Sequence, residues 1–368
     1  MKIVAVDVLG YDLTYRHGSY VMSGGRSVDV LPSTVVRVRT DEGIDGFGET
    51  CPLGPAYLAA FGAGARAALG ELAPALLGLD PCNLALVGET MDRTLRGHEY
   101  AKSAVDVACW DVLGKATGQS VSTLLGGVRQ ESYPLYVAIP LGTVEATVEA
   151  VRAQRAEGVH AFQLKLGSDP REDAEPVAAV VEATDDCEIV IADANGGYRL
   201  QDAVVAARLL EGMPRTFYEQ PCASLEECLY VRRLTTLPMI LDESITDVPS
   251  LLRAWSANGM EAINLKVSKV GGLTKAKLIR DLAHDLGLRL TVEDTWGGDL
   301  TTAAVSHLAS STRPETLFTV SFMNDWTNEH VAGYEPRSTD GIGHTPTGPG
   351  LGIEVDVEQL GGPLFTVE

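Results

Sequence analysis

The chain has 368 residues, 45% of them hydrophobic, and a formal net charge of −21. That length allows one large domain and a smaller companion, and the charge argues against nucleic acid and anionic membranes as partners, because its long-range field repels both. No apolar run approaches the roughly 20 residues of a membrane span, and Asp7 interrupts the start too early for a signal peptide, so a soluble cytoplasmic protein is expected.

Residues 1 to 50 read as strands and turns. Val35–Thr40 alternates apolar and polar, Asp41-Glu42-Gly43 turns, and Gly46–Thr50 resumes, which is a hairpin signal. Residues 56–77 and 102–115 read as helices, the second with apolar positions at Ala104, Val105, Ala108 and Val112. Strands first and helices second describe an α+β unit, placed at 1–127. After Leu124-Leu125-Gly126-Gly127 the pattern changes to alternating strands and helices over 128–340. Tyr136–Ile139 is the predicted first strand, Arg289–Glu293 the seventh and Leu317–Val320 the eighth. Helices are predicted at 143–157, 171–183, 200–211, 224–234, 247–257, 273–286 and 299–310. Eight such units form an α/β fold, a (β/α)8-type modified TIM barrel, with the α+β unit as an N-terminal capping domain. No Gly-x-Gly-x-x-Gly opens a helix after the first strand, which counts against a dinucleotide fold. The turn-rich segment 341–368 is expected to return to the capping domain.

Six cysteines stand at 51, 82, 109, 187, 222 and 228, none in a Cys-x-x-Cys pair, so no disulfide framework is expected. Cys109 reads as core. Cys222 is expected near the barrel mouth, with no histidine placed in sequence to activate it.

Five charged residues each close a short apolar run and precede a helix: Lys165, Asp193, Glu219, Asp242 and Lys266. Their spacings are 28, 26, 23 and 24 residues, close to the roughly 30 per unit of a (β/α)8 barrel of about 250 residues. Strand ends at the carboxyl face of such a barrel carry its chemistry. Three carboxylates on consecutive strands suit a hard cation such as Mg²⁺, and the absence of cysteine or histidine makes zinc a poorer fit. The alternative is that each acid caps a helix or is a surface charge, and that the two lysines only balance the carboxylates as ion pairs. Lys165 and Lys266 lie one strand outside the trio on either side. If the trio holds a cation and the cation a substrate carboxylate, the lysines face opposite sides of its α-carbon. One is then placed to remove the α-proton, which requires a lysine pKa lowered to about 7–8 by burial and nearby positive charge. Lys269 reads as an ion-pair partner. Asp294 is positioned to contact a cationic part of the substrate or to cap the next loop, and Asp325 and Trp326 beyond the eighth strand are candidates by position. His284 and His307 read as packing or surface histidines.

At these residues the chain resembles the enolase superfamily, in particular its mandelate racemase/muconate lactonizing enzyme family. Gly48–Pro52, Ala101–Asp106 and Leu124–Gly127 look like the family's capping domain and its junction to the barrel. Asp193-Ala194-Asn195, Glu219-Gln220-Pro221, Leu241–Ser244 and Asn264–Gly272 look like its barrel motifs. The resemblance implies Mg²⁺ on Asp193, Glu219 and Asp242, and acid/base lysines at Lys165 and Lys266. Two departures stand out. The family's usual Lys-x-Lys on the second strand is Gln163-Leu164-Lys165 here, and Glu293-Asp294 occupies the seventh-strand end where mandelate racemases and acid-sugar dehydratases carry a histidine. Gly48–Tyr57, Gly97–Ser103 and Asp294–Asp299 look like enzymes of proline derivatives, the cis-3-hydroxy-L-proline dehydratases and the (hydroxy)proline betaine 2-epimerases. This implies substrate contacts from Tyr57, on a capping loop, and from Asp294, Trp296 and Phe322, with Trp326 as the other aromatic candidate.

The expected activity is α-proton abstraction from a small proline-type carboxylate. A 3-hydroxyl leaving group makes the step a dehydration; without one it is an epimerisation. Dipeptide epimerase and muconate-type cycloisomerase come next. A Schiff-base aldolase at either lysine leaves the carboxylate trio unexplained, and a non-catalytic barrel leaves the whole set of five unexplained. The resemblance also implies a homo-oligomer, a dimer or an octamer.

Overall fold

The computed structural model describes residues 1–184 and 189–368; Cys187 lies outside them. Strand Ile3–Thr14 pairs antiparallel with Val30–Thr40, which continues through the predicted hairpin into Asp45–Thr50. Near the chain's end, Phe365–Val367 adds to the free side of the first strand, with Val367 opposite Val6. Helices Gly62–Leu76, Leu84–Thr94 and Glu99–Thr117 pack with this sheet. Val105, Ala108, Cys109 and Val112 share one core with Val36, Val38 and Leu69. A Cβ at Gly48 would fall 2.0 Å from the Ala104 carbonyl oxygen, so glycine is what lets the third helix lie against this strand. The helix expected from residue 56 starts at Gly62 instead. Gly54 takes φ +114° and its carbonyl accepts from the Tyr57 amide, so the chain turns there and carries Tyr57 on a loop.

The eight barrel strands are Tyr136–Ile139, Ala161–Lys165, Ile189–Asp193, Thr216–Glu219, Met239–Leu241, Ala262–Lys266, Arg289–Glu293 and Leu317–Val320. All neighbours pair in parallel and in chain order, and a bridge from Leu135 to Val320 closes the ring. The helices between them start and stop within about two residues of the predicted bounds, as end fraying allows. Their caps explain this: Thr143, Ser224 and Asp247 each accept a backbone N–H of the first turn.

Side chains two apart on a strand share a face. Ile189, Ile191 and Asp193 therefore point one way, as do Phe217 and Glu219, Ile240 and Asp242, and Ala262, Asn264 and Lys266. The lower members, Ile191, Ile240, Ala262 and Phe318, pack together as a dry floor, and the charged members form the layer above it.

Two carboxylates of the capping unit bind barrel helices at their N-termini. Glu49 accepts from Gly298 N (3.0 Å), Thr301 N (3.0 Å) and Thr301 Oγ1 (2.9 Å) at the start of Asp299–Ser310, and from Tyr11 and Ser33 on its own side. Asp106 accepts from Thr274 N (2.9 Å) and Oγ1 (2.5 Å) at the start of Leu273–Asp285. Each supplies the acceptor that orphaned N–H groups at a helix start require, so the capping sheet is fixed over the carboxyl ends of the strands. Among the described residues no helix is long and apolar enough to cross a membrane.

Candidate active site at the barrel mouth

Parallel register sets Lys165 beside Asp193 and Asp193 beside Glu219. Asp242 follows the fifth strand by one residue. Lys165 on the second strand and Lys266 on the sixth are four strands apart in a ring of eight, hence on opposite walls, with the three carboxylates on the strands between. All five are buried, and Asp193 and Glu219 have no exposure at all.

Each charge is locally engaged. Lys165 Nζ lies 2.5 Å from Asp193 Oδ2, and Lys266 Nζ 2.5 Å from Asp242 Oδ2. Lys269 reaches Asp242 Oδ1 (2.7 Å) and the carbonyls of Asp242 and Asn264, the ion-pair role read from its position. Among the described residues Glu219 accepts only from amides, Gln163 Nε2 at 2.9 Å and Asn264 Nδ2 at 2.6 Å. Burial, then Asp193 and Asp242, push the Glu219 carboxyl well above the usual range. Burial alone would also raise Asp242, but Lys266 and Lys269 bring it below the usual range. Burial works to lower both lysines, yet the facing carboxylates outweigh it: Asp193 first for Lys165, Asp242 first for Lys266.

With the lysines seated among the acids, no three carboxylate, histidine or cysteine groups converge on one point among the described residues. The donor set still fits a hard divalent cation. Among the described residues Glu219 is a fully buried acid with two acid neighbours and no ion-pair partner, and the nearby amide oxygens Asn195 Oδ1 and Asn264 Oδ1 have no hydrogen-bond partner. Oxygen donors in excess of local positive charge are what Mg²⁺ binds.

The cavity above this layer is lined by Tyr20, Tyr57, Lys165, Lys266, Glu293 and Trp296, together with Asp294 and Trp326. Its free volume is about 30 Å³, room for a water or two. Tyr57 closes it from the capping loop: its hydroxyl donates to Asp242 Oδ2 (3.0 Å) and accepts from Lys266 Nζ (2.6 Å). One wall is aromatic. Trp296 packs edge-on to Tyr20 at 5.3 Å and to Trp326 at 5.6 Å between ring centroids, and its indole N–H has no partner among the described residues.

Of the expected substrate contacts, Tyr57, Asp294 and Trp296 line this cavity. Phe322 does not; it is buried behind the wall against Tyr133, whereas Trp326 faces in. Asp294 is occupied, accepting from Ser268 N (2.9 Å), the Ser268 hydroxyl and Thr295 N (2.7 Å), the loop-capping arrangement. Asp325 accepts from Tyr334. Cys222 is buried beside Gln220 and Cys228, and His307 is a core residue.

Two acids went unassigned in the sequence. Glu293, not Asp294, stands opposite Lys266 in register; it accepts from Tyr136 on the first strand, two strands along the ring, and its other oxygen has no hydrogen-bond partner among the described residues. Glu243 lies behind the trio, in reach of Asn195 (3.2 Å), and is pushed up to about 7 by burial and by Asp242. Strand parity was the available signal for Glu293, since Thr291 and Glu293 share the inward face.

Residues 145–360 match the family described as enolase C-terminal domain-like, and residues 13–126 match the mandelate racemase/muconate lactonizing enzyme N-terminal domain. A cis-3-hydroxy-L-proline dehydratase of Roseibium aggregatum is 44% identical, with 99% of both chains covered. An N-succinyl-L-Arg/Lys racemase of Bacillus cereus is 28% identical over 98% of this chain and 97% of its own. Among solved structures, a mandelate racemase/muconate lactonizing enzyme of Roseovarius nubinhibens complexed with magnesium superposes with a TM-score of 0.96 at 35% identity, covering all of both chains.

Proposed function

Because the chain belongs to the mandelate racemase/muconate lactonizing enzyme family of the enolase superfamily, we propose that it removes the α-proton of a proline-type carboxylate and dehydrates cis-3-hydroxy-L-proline. The observation that carries this reading is the placement of Lys165 and Lys266 on opposite walls, with three buried carboxylates between them. The 44% identity to a protein of that activity supports the choice of substrate.

Asp193, Glu219 and Asp242 would hold Mg²⁺. When bound, the ion supplies positive charge that offsets negative charge developing on the substrate carboxylate and weakens the acids' grip on the lysine protons. One lysine takes the α-proton on its Nζ. The electron pair left at Cα forms the Cα–C3 double bond as the C3–O bond breaks. The opposite lysine gives its proton to the departing hydroxyl, which leaves as water. Tyr57 must withdraw for substrate to enter, since its hydroxyl fills the space between Lys266 and Asp242, and on return it excludes water.

A second reading has one specific support. The aromatic wall of Tyr20, Trp296 and Trp326 also suits a quaternary ammonium. With no 3-hydroxyl to expel, the opposite lysine would return its proton to Cα, giving 2-epimerisation of a proline betaine. Proton NMR in D₂O with Mg²⁺ decides between the two. Loss of the α-proton signal together with the C3–H carbinol signal of cis-3-hydroxy-L-proline supports dehydration. α-Exchange with inversion of proline betaine, and no change in the hydroxy acid, overturns it.

A further inference from the structure

The unassigned acid at the end of the seventh strand has the features of a ligand contact. Glu293 is 3% exposed and faces the cavity. The Tyr136 hydroxyl, from the first strand, donates to its Oε2. Among the described residues its Oε1 is buried with no hydrogen-bond donor, and Lys266 Nζ stands off at 3.6 Å. A buried carboxylate oxygen left without a donor is costly. Glu293 lines the cavity, so a bound ligand can bring the missing donor there. Asp294 is no competitor, because backbone and hydroxyl donors already fill it.

The rest of the wall narrows the donor's chemistry. Tyr20, Trp296 and Trp326 present aromatic surface, and a cation prefers such surface on one side and a carboxylate on the other. A secondary ammonium brings N–H donors as well as charge. A quaternary ammonium brings charge alone and would leave Oε1 unpaired.

We propose that Glu293 reads the ring nitrogen of the substrate: Oε1 accepts a hydrogen bond from a secondary ammonium while Tyr136 holds the carboxylate in place. The enzyme thereby selects free cyclic amino acids over their N,N-dimethyl counterparts. This rests on the proline-type reading above and adds the residue that distinguishes its two branches.

The test compares L-proline with L-proline betaine, both lacking the 3-hydroxyl, as inhibitors of the Mg²⁺-loaded enzyme with cis-3-hydroxy-L-proline as substrate. The wild type is expected to bind proline at least tenfold tighter than the betaine. Glu293→Gln keeps the shape but loses the charge, and charged hydrogen bonds are about twice as strong as neutral ones. Its preference is expected to fall about tenfold, with KM for the hydroxy acid raised more than kcat is lowered. Tyr136→Phe frees the carboxylate to rotate, should erode the preference less, and carries the test if the first variant does not fold. If the wild type turns over the hydroxy acid but shows no preference, or Glu293→Gln keeps it in full, the assignment is overturned and the proline-type reading survives. If the wild type neither turns over the hydroxy acid nor binds either inhibitor, both fall.

Discussion

His307 gives a stability prediction with both sign and size. It is fully buried in helix Asp299–Ser310, where its Nδ1 accepts from Ser122 N (3.1 Å) and its Nε2 donates to the Leu351 carbonyl (3.0 Å). The first contact requires the neutral ring, and burial lowers its pKa from 6.5 to about 4, outweighing the Leu351 carbonyl, which favours the charged form. The unfolded chain therefore takes up this proton near pH 6.5 and the folded protein only near pH 4. The contribution is complete above pH 6.5 and is lost as pH falls. One unit is 1.36 kcal/mol, so the loss is about 2 kcal/mol by pH 5 and about 3 kcal/mol by pH 4. His307→Gln keeps one acceptor and one donor but does not titrate. It should cost about 1–2 kcal/mol at pH 8 from poorer hydrogen-bond geometry, and should be about as stable as wild type at pH 5. Urea unfolding followed by tryptophan fluorescence at pH 8, 6.5 and 5 measures the difference, in which titrations common to both proteins cancel. A wild-type advantage that stays constant from pH 8 to pH 5 would refute the neutral-histidine argument.

Three further expectations concern the mouth and the seam. Lys165→Met and Lys266→Met should each lower turnover by about 10²–10⁴-fold, the usual worth of a general acid or base; in D₂O the variant that retains the base should still exchange the α-proton of L-proline, and equal exchange by both would contradict the opposite-wall arrangement. Asp193→Asn, Glu219→Gln and Asp242→Asn should each abolish saturable Mg²⁺ binding in calorimetry while circular dichroism shows the fold retained. Unaltered binding in all three would remove the trio as the metal site. Glu49→Ala orphans helix-start N–H groups across the seam and should lower stability by about 1–3 kcal/mol; an unchanged melting temperature would mean that the cap holds nothing.

The sequence made the barrel legible because each strand is a short apolar run with turn signals on both sides, and Tyr136–Ile139, Arg289–Glu293 and Leu317–Val320 have the predicted bounds. What it concealed was facing. In Arg289–Glu293 the alternation sets Thr291 and Glu293 on one face, but not which face is inward; the register, with Glu293 opposite Lys266, decides that. Phe322 and Trp326 follow the eighth strand closely, and which of the two faces the cavity depends on the short helical turn Met323–Trp326. The helix-capping role of Glu49 spans 249 residues to Gly298, a distance over which periodicity carries no information.

Charge balance in the mouth leads to a last prediction. Asp193, Glu219 and Asp242 carry three negative charges, and Lys165, Lys266 and Lys269 carry three positive ones when all are protonated. With a divalent cation bound and one lysine neutral as base, the surplus is one positive charge, which a substrate carboxylate cancels. Moving the α-proton to that lysine raises the surplus to two, and the substrate, now doubly negative, cancels that as well. With Glu243 behind the trio pushed up to about 7, and so neutral below that pH, these groups balance before and after proton transfer, which avoids the cost of an uncompensated buried charge. Glu293 and a ring ammonium cancel separately. Lys269, which touches Asp242 but does not line the cavity, matters to this balance by charge alone. Lys269→Met should leave the site one charge short, raise the pKa of the base, and move the acid limb of the kcat/KM profile to higher pH by about one unit or more. A profile that loses height but does not move would show that Lys269 serves only to hold Asp242 in place.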